Sequence, residues 1–254
     1  MEPGNIAIVG GTGFEALPPE IFAEPLDIQT DHGTARVLSV SDNYTEPYKL
    51  YFLSRHGSDH SVAPHQINYR ANTMALKELG VRYVFATNAV GSLREDLPAG
   101  TFVVLDDFID FTKQRALTVF GDKEWGHTDF STPYCPALRR FLLESSDKFD
   151  VTVRDGGTYV CCEGPRFESP AEVRLFRQWG GDVVGMTGLP EAIFARESGL
   201  EYAAIAIVTN LGAGLSSSPV NHSDVVLQMA AALPLLRDIC LASAATLVDQ
   251  WSRI

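Results

Sequence analysis

Three short segments of the chain carry residue types that suit the binding of an anion such as phosphate. Gly10-Gly11-Thr12-Gly13 follows a short apolar run, and glycines let the backbone turn tightly and approach an anion closely. Arg55 and His56 follow another apolar run. Arginine offers a planar fork of N–H donors, and an adjacent histidine adds one more. In the third segment, Asn88-Ala89-Val90-Gly91, small residues leave backbone N–H groups accessible.

A fourth segment, residues 158–192, brings polar and aromatic side chains to predicted strand ends. Its pattern predicts a strand, a tight loop, a short helix that begins with a Ser169/Glu172 capping box, a second strand, a turn and another helix start. Ligands of open α/β sheets bind at the carboxyl ends of the strands. The segment therefore predicts a small-molecule site formed by Phe167, Glu168, Met186 and Thr187.

The elements that would position these residues alternate along the chain. Hydrophobic periodicity predicts strands over 6–9, 48–54, 82–87, 101–109, 182–187 and 202–209, and a hairpin around Asp42-Asn43. It predicts helices over 67–79, 136–149, 190–199 and from about 224 to 251, the last kinked or broken at Pro234. Strand-helix-strand units favour parallel pairing. We expect a single α/β domain over residues 1–254.

Composition narrows the class of protein. The chain has 254 residues, is 45% hydrophobic and carries a formal net charge of −12, which disfavours nucleic acid and anionic membranes as partners. The N-terminus lacks the pattern of a signal peptide, and we expect no stretch long enough to span a bilayer. The cysteines show no CxxC pairing, so reduced thiols and a cytoplasmic location are expected.

Two other kinds of binding site, one for a dinucleotide and one for a metal, fit parts of the sequence. Residues 11–16 match the loose dinucleotide signature GxGxxA, but Pro18-Pro19 interrupts the helix that would hold a pyrophosphate. His56, His60 and His65 could suggest a metal, yet the residues between them are typical of a loop rather than of one rigid face. We therefore expect no metal.

The motifs themselves resemble a known family. EGPRFE at 163–168, followed by GMTGLPEA at 185–192, is similar to the trimeric purine nucleoside phosphorylases and methylthioadenosine phosphorylases. The likeness covers nearly the whole chain in order, through GGTG at 10–13, SRHG at 54–57, NYRAN at 68–72, TNAVGSL at 87–93 and TNLGAG at 209–214. It implies the nucleoside phosphorylase fold, a central mostly parallel or mixed twisted β-sheet flanked by helices, in a homotrimer. It also implies inorganic phosphate as cosubstrate and no other cofactor.

The resemblance assigns roles to single residues. Phosphate would be held by Thr12, Arg55, His56, the backbone N–H of Ala89, and Thr187. Phe167 would lie against the base and Met186 near the ribose, which the loop containing Asn88 also borders. His127 lies in an aromatic-rich segment, 120–134, that crosses into the neighbouring subunit's site in related trimers; from its residues alone this segment is typical of an interface loop.

Glu168 and Asn210 bear on the identity of the base. A 6-oxopurine has a donor at N1–H and acceptors at O6 and N7, which a carboxylate and an amide donor complement. In relatives that act on 6-aminopurines, these two positions are usually Ser and Asp. With His56, they are the expected catalytic residues. Taken alone, the negative charge of Glu168 could stabilise the N-terminus of the helix that follows it, and Asn210 could be a turn residue.

His222 bears on the sugar. It matches the position where nucleoside phosphorylases of the family place a histidine at the 5′-hydroxyl, while methylthio-specific relatives have an apolar residue there. A histidine near a helix start could also be a cap or a surface residue. Other motifs, such as SRHG, look closer to the methylthio branch. The expected substrates are 6-oxopurine nucleosides first and methylthioinosine second.

Two other functional classes also fit the sequence. A nucleoside hydrolase would use water and need no phosphate clamp, and a purine-binding protein on the same fold would bind without turnover. The Gly- and Ser-rich segment 211–223 could open and close over substrate or be an ordinary surface loop.

Overall fold

A computed structural model of the protein describes residues 1–11, 23–40, 45, 47–57, 61–121, 126–216 and 219–251. These residues form one mixed sheet with helices on both faces. The strands are β1 Asn5–Gly10, β2 Ala23–Thr30, β3 Gly33–Val40, β4 Leu50–Ser54, β5 Val81–Ser92, β6 Phe102–Val104, β7 Asp107–Phe111, β8 Val153–Asp155, β9 Thr158–Cys162, β10 Val183–Gly185 and β11 Glu201–Leu211. The helices are α1 Tyr69–Glu78, α2 Pro136–Ser146, α3 Pro170–Gln178, α4 Glu191–Glu197 and α5 His222–Trp251.

The sheet runs in the order β2-β3-β4-β1-β5-β10-β9-β7, and β11 also pairs with β5 before continuing to β6 and β8. Strand β1 is parallel to both β4 and β5, and β5 is parallel to β11. The pairs β2/β3, β3/β4, β5/β10 and β6/β11 are antiparallel. The expected mixed α/β sheet is confirmed.

Side-chain alternation along the central strands builds the two helical layers. In β1, Ile6 and Ile8 pack in a core cluster with α2 and α5, whereas Ala7 and Val9 pack in a cluster with α1 and α4. Because successive side chains of a strand point to opposite faces, an uninterrupted apolar run is buried on both. The helices therefore fix β1 and β5 from both sides.

Strand β5 has three partners, and this arrangement creates a crevice. Its pairing with β11 occupies one edge from Tyr83 to Ser92. The other edge is shared: β1 pairs with it as far as Ala86, and β10 pairs with it only at Gly91 and Ser92. Between these two partners, residues 87–90 face a gap in the sheet. Such forks, where the strand order changes direction, are where α/β sheets bind ligands.

Several sequence-based boundaries need correction. Segment 82–87 was expected to end in a loop, but β5 continues to Ser92 because β11 pairs alongside it. The run 101–109 is divided between β6 and β7, which pair with different strands. Helix α5 is not broken at Pro234 and runs as one helix from His222 to Trp251. The capping box at Ser169 is present as predicted, and the hairpin expected at Asp42-Asn43 lies outside the described residues.

Helix α5 also corrects the expectation that no segment could span a bilayer. By length and composition it is long and apolar enough, with a mean hydropathy of 1.7 over its most apolar window, 28% of which is buried in the chain. One such helix is weak evidence for a membrane span, because core helices meet the same criterion. Here Leu236, Ile239 and Leu247 of α5 pack in the core cluster on the sheet.

Candidate active site

A cavity of about 410 Å³ occupies the crevice beside β5. Its wall includes Gly11 after β1, Ala89 and Gly91 of β5, and Val184 and Gly185 of β10. Eight of the predicted site residues also line it: His56, Ala89, Phe167, Glu168, Met186, Thr187, Asn210 and His222. Residues more than a hundred positions apart in the chain therefore meet at one carboxyl-end edge, as the motif pattern predicts.

The other four predicted site residues are not found on the cavity wall. Arg55 and Asn88 are buried beside the cavity but are not part of its described wall. His127 is exposed and lies away from the wall of this cavity within the same chain. Thr12 lies outside the described residues, so its predicted contact with phosphate stays a prediction, as do the other roles that the resemblance implies.

The backbone N–H of Ala89 points into the crevice. Thr87 turns its carbonyl to the crevice edge, where it accepts a hydrogen bond from Nη1 of Arg55 at 2.7 Å. Val90 turns its carbonyl to the opposite edge, where it accepts from Oγ1 of Thr209 at 3.1 Å. In a strand the N–H and C=O of one residue point to the same edge, and successive residues alternate, so the N–H of Ala89 lies on the same edge as the Thr87 carbonyl. It can donate to an anion there.

His56 lies at the same end of the cavity and is oriented by the backbone. Its Nδ1 lies 2.8 Å from the carbonyl oxygen of Val62. Since a carbonyl only accepts, Nδ1 carries a proton and donates. The Nε2 atom of His56 then faces Gly11, 3.8 Å from where a Cβ of that residue would stand. A side chain at Gly11 would fill this part of the cavity.

Arg55 is held by a buried ion pair. Its Nε and Nη2 donate to the two carboxylate oxygens of Glu191 at 2.6 and 2.7 Å, and Tyr202 donates to the same carboxylate at 2.8 Å. Desolvation lowers the pKa of Arg55, but the charge of Glu191 and the hydrogen bonds to it outweigh that effect and raise the pKa overall. Nη1 lies directly behind Gly11, 3.3 Å from the position of a Cβ there. The fork of Arg55 is therefore bound to Glu191, and only its Nη1 side approaches the cavity.

Thr187 completes this end of the cavity. Nδ2 of the buried Asn88 donates to Oγ1 of Thr187 at 3.2 Å. An oxygen that already accepts from Asn88 keeps its own hydroxyl proton free to donate elsewhere. We call the group Gly11, Arg55, His56, Ala89 and Thr187 the anion end of the cavity.

The amide of Asn210 faces the cavity in a fixed orientation. A register irregularity in β11 lies between Val208 and Asn210. Oδ1 of Asn210 lies 2.9 Å from the Thr209 hydroxyl, whose one proton also faces the Val90 carbonyl, and Nδ2 donates to the carbonyl of Leu211 at 2.9 Å. Because a carbonyl only accepts, the Leu211 contact identifies the nitrogen, and one N–H of the amide is left to donate.

Glu168 shares the cavity wall with Asn210 and is half-buried. Desolvation raises its pKa, and the nearby charge of Glu172 adds to that effect. The charge of Arg166 and a hydrogen bond from the Cys162 thiol oppose it without cancelling it. The pKa of the Glu168 carboxyl group is therefore raised overall.

His222 is the first residue of α5, and its exposed side chain forms the outer wall of the cavity with Val225, Met186 and Phe167. The capping hydrogen bond at this helix start comes from another residue: Oδ1 of Asn221 accepts from the N–H of Asp224 at 2.9 Å. The alternative that His222 is the cap is therefore wrong. We call Phe167, Glu168, Met186, Asn210 and His222 the nucleoside end of the cavity, after the roles that the resemblance implies.

Sequence reasoning missed two buried residues that support the site. Glu191 is the "E" of the quoted GLPEA motif, and its motif position was the signal that could have found it. Arg115 carries no such signal. Its guanidinium donates to the carbonyls of Leu189 and Glu163, the latter at 2.8 Å, and to the Glu163 carboxylate at 3.3 Å. It thereby ties the loop before Phe167 to the turn after Thr187.

Metal binding finds no support at this cavity. Within the described ranges, no cluster of three or more His, Cys, Asp or Glu side chains is placed to hold a metal ion. His60, one of the histidines considered from the sequence, falls outside those ranges.

The sequence profile of the Phosphorylase superfamily matches residues 5–245 of the chain. The chain belongs to this family. A "Probable 6-oxopurine nucleoside phosphorylase" of Moorella thermoacetica is 48% identical over 226 residues, covering 87% of this chain and 85% of that protein. A "Probable S-methyl-5'-thioinosine phosphorylase" of Methanopyrus kandleri is 46% identical over 214 residues, covering 83% and 80%.

Solved structures of the family have the same fold. The methylthioadenosine phosphorylase of Schistosoma mansoni in complex with adenine superposes with a TM-score of 0.88 at 32% identity, covering 96% of this chain and 91% of that one. The resemblance read from the motifs and the expected nucleoside phosphorylase fold are both confirmed.

Proposed function

We propose that the protein catalyses the phosphate-dependent cleavage of the N-glycosidic bond of 6-oxopurine nucleosides such as inosine and guanosine, releasing the purine base and ribose 1-phosphate. One observation carries this proposal. Glu168 and Asn210 both line one end of a cavity, and N–H and O–H donors lie at its other end. The names of the close relatives agree with it.

At the anion end, the protein positions the nucleophile. The Ala89 N–H, the Thr187 hydroxyl and the His56 ring would hold phosphate, with Thr12 and the Nη1 side of Arg55 next to it. A phosphate oxygen attacks C1′ as the C1′–N9 bond breaks, and the bonding electrons leave with the base. Placing the nucleophile in line with that bond removes much of the entropic barrier.

At the nucleoside end, the protein stabilises the leaving base. Negative charge grows on the purine as the bond breaks, and the free N–H of Asn210 donates to N7. The Glu168 carboxylate accepts from N1–H. A 6-aminopurine has no proton at N1, so the carboxylate would face a lone pair. Leaving a buried polar group without its partner costs roughly 1 to 3 kcal/mol, which favours 6-oxopurines.

Methylthioinosine is the second candidate substrate. Val225, Met186 and Phe167 surround His222 with apolar surface that could receive a 5′-methylthio group. The Methanopyrus kandleri relative carries that activity in its name. The same Glu168 and Asn210 would read the hypoxanthine base of this nucleoside, so the two candidates differ only at the sugar.

The proposal has three further parts. Phosphate is the cosubstrate, and no organic cofactor or metal takes part.

The protein acts as a cytoplasmic homotrimer, in which His127 from one subunit borders the cavity of the next. The exposure of His127 supports this part, because a residue that serves a neighbouring subunit must lie at the surface of its own.

The test is base release from five nucleosides, each with and without phosphate: inosine, guanosine, methylthioinosine, adenosine and methylthioadenosine. We expect hypoxanthine and guanine only when phosphate is present, and little adenine. Efficient adenine release would refute the 6-oxopurine assignment. A strong preference for methylthioinosine over inosine would make the second candidate the correct one.

Release without phosphate would instead identify a hydrolase. Binding of purines without any release, measured by calorimetry, would identify a non-catalytic purine-binding protein.

A further inference from the structure

The glycines of the turn after β10 are explained by one buried aromatic ring. Tyr159 of β9 is completely buried. A Cβ at Gly185 would stand 2.7 Å from the Tyr159 hydroxyl oxygen, and a Cβ at Gly188 would stand 2.8 Å from its Cε1. Neither glycine has a positive φ, so both are needed for space rather than for backbone conformation. The GMTG motif is therefore shaped to receive the Tyr159 ring.

The hydroxyl of Tyr159 holds the backbone of this turn. It accepts hydrogen bonds from the N–H groups of both Thr187 and Gly188, at 3.2 and 3.1 Å. A phenol oxygen accepts through its lone pairs, so this one hydroxyl satisfies both backbone N–H groups. Burial raises the pKa of Tyr159 well above its usual range, so the group stays neutral and keeps its proton.

The turn carries Met186 and Thr187 into the cavity. Thr187 has two anchors: Tyr159 holds its backbone N–H, and Asn88 donates to its Oγ1. The backbone of Thr187 and its hydroxyl oxygen are thus both held, and the hydroxyl proton is left to donate to a ligand at the anion end.

We propose that Tyr159 is a positioning residue for phosphate binding, acting through the Thr187 hydroxyl. Tyr159 is not part of the described cavity wall, so it acts without touching substrate. The proposal rests on the proposed function only in taking phosphate as the ligand of the anion end. A residue that merely stabilises the core would affect all ligands equally, whereas this role is specific to phosphate.

The test is Tyr159→Phe, which keeps the ring and removes the hydroxyl. We expect the KM for phosphate to rise about tenfold, the effect of losing roughly one well-placed hydrogen bond, while the KM for inosine stays within about twofold. The matched control is Tyr83→Phe, another fully buried tyrosine, from the core cluster on the other face of the sheet, which should leave both constants unchanged.

A second variant displaces the hydroxyl without removing it. In Gly185→Ala, the new Cβ would push on the Tyr159 hydroxyl, so the same selective rise in the phosphate KM is expected. This variant keeps the test decisive if Tyr159→Phe fails to fold. Equal changes in the KM for phosphate and for inosine in the folded variant, or no change in either, would overturn the proposal.

Direct titration of the free protein with inorganic phosphate, followed by calorimetry, separates this inference from the proposed function. If the wild-type protein shows no phosphorolysis, the proposed function fails. A phosphate affinity that falls about tenfold in Tyr159→Phe would still support the inference. An unchanged phosphate affinity in an active enzyme would overturn the inference alone.

Discussion

The two ends of the cavity are built in different ways. At the anion end, Arg55 and His56 are almost fully buried, with exposures of 2% and 4%. Arg55 is bound to Glu191, 136 positions away, and His56 is bound to the nearby backbone carbonyl of Val62. At the nucleoside end, Glu168 and Asn210 are half-buried and His222 is exposed. These residues come from loops, a helix start and a strand end.

This difference indicates which properties each end controls. Groups at the anion end are part of the core, so changing them should affect stability and turnover together. At the nucleoside end, Glu168 and Asn210 are half-buried and His222 is exposed, so changing them should alter substrate preference with a smaller effect on stability. A family can in this way keep one phosphate site while the base and sugar preferences vary.

The largest effect is expected at the Arg55–Glu191 pair. Arg55→Ala leaves the Glu191 carboxylate buried without its partner, which should lower the free energy of unfolding by about 3 to 5 kcal/mol. Urea denaturation measures this loss, and phosphorolysis should fall with it. Stability unchanged within about 1 kcal/mol would contradict a buried anion end.

A matched double variant separates stability from function. Arg55→Met with Glu191→Leu replaces both charges with apolar side chains of similar length, and should regain most of the lost stability because no charge is left unpaired. Phosphate binding should not recover. Full recovery of activity would show that Arg55 serves only the core.

The next effect is expected at Asn210. Asn210→Asp removes the N–H donor facing the base and sets a carboxylate near the Leu211 carbonyl. We expect kcat/KM for inosine to fall about 10- to 100-fold, and the preference for inosine over adenosine to fall with it. An unchanged preference would remove Asn210 from base recognition.

Glu168 should give a pH-dependent effect. Its pKa in the folded protein is raised above the ordinary value of 4.5, mainly by desolvation. A raised pKa contributes stability that is fully present below 4.5 and lost as the pH rises through the folded value. Glu168→Gln removes this dependence, so relative to the wild type the variant should gain stability between acidic and neutral pH.

Denaturation curves across that pH window, with Glu78→Gln as an exposed control, measure the effect. In the wild type, kcat/KM should also fall as the pH drops below the raised pKa, because only the carboxylate accepts from N1–H. If Glu168→Gln and wild type keep a constant difference in stability across the window, Glu168 is not desolvated.

The smallest effect is expected at His222. His222→Leu replaces an exposed side chain on the outer wall of the cavity, so stability should change by less than about 0.5 kcal/mol. The ratio of kcat/KM for methylthioinosine to that for inosine should rise up to about tenfold. His65→Leu, an exposed histidine that does not line the cavity, is the control. A ratio that does not move would exclude His222 from recognition of the 5′ group.

Much of the architecture follows from local patterns. The capping box at Ser169 and the apolar run of β11 are encoded within a few residues each, and both were predicted. The convergence of Phe167, Glu168, Met186 and Thr187 followed from the rule that strand ends share one edge of a sheet.

What sequence reasoning missed depends on distant partners. The segment Asn88 to Gly91 has the composition of a loop, and its pairing with β11, joined at Gly91 by β10, keeps it in strand conformation. The fork of Arg55 suits phosphate by chemistry, but Glu191, 136 positions away, occupies two of its donors. In the sequence, Tyr159 has the pattern of an ordinary core residue. Its role depends on hydrogen bonds from the N–H groups of Thr187 and Gly188, which only the structure shows.

Phosphorus NMR of a reaction containing the protein, inosine and phosphate is the most direct test of the central claim. The account predicts that ribose 1-phosphate accumulates in a one-to-one ratio with hypoxanthine. Hypoxanthine without a sugar phosphate would mean that water, not phosphate, attacks C1′. Neither product would mean that the cavity binds purines without cleaving them.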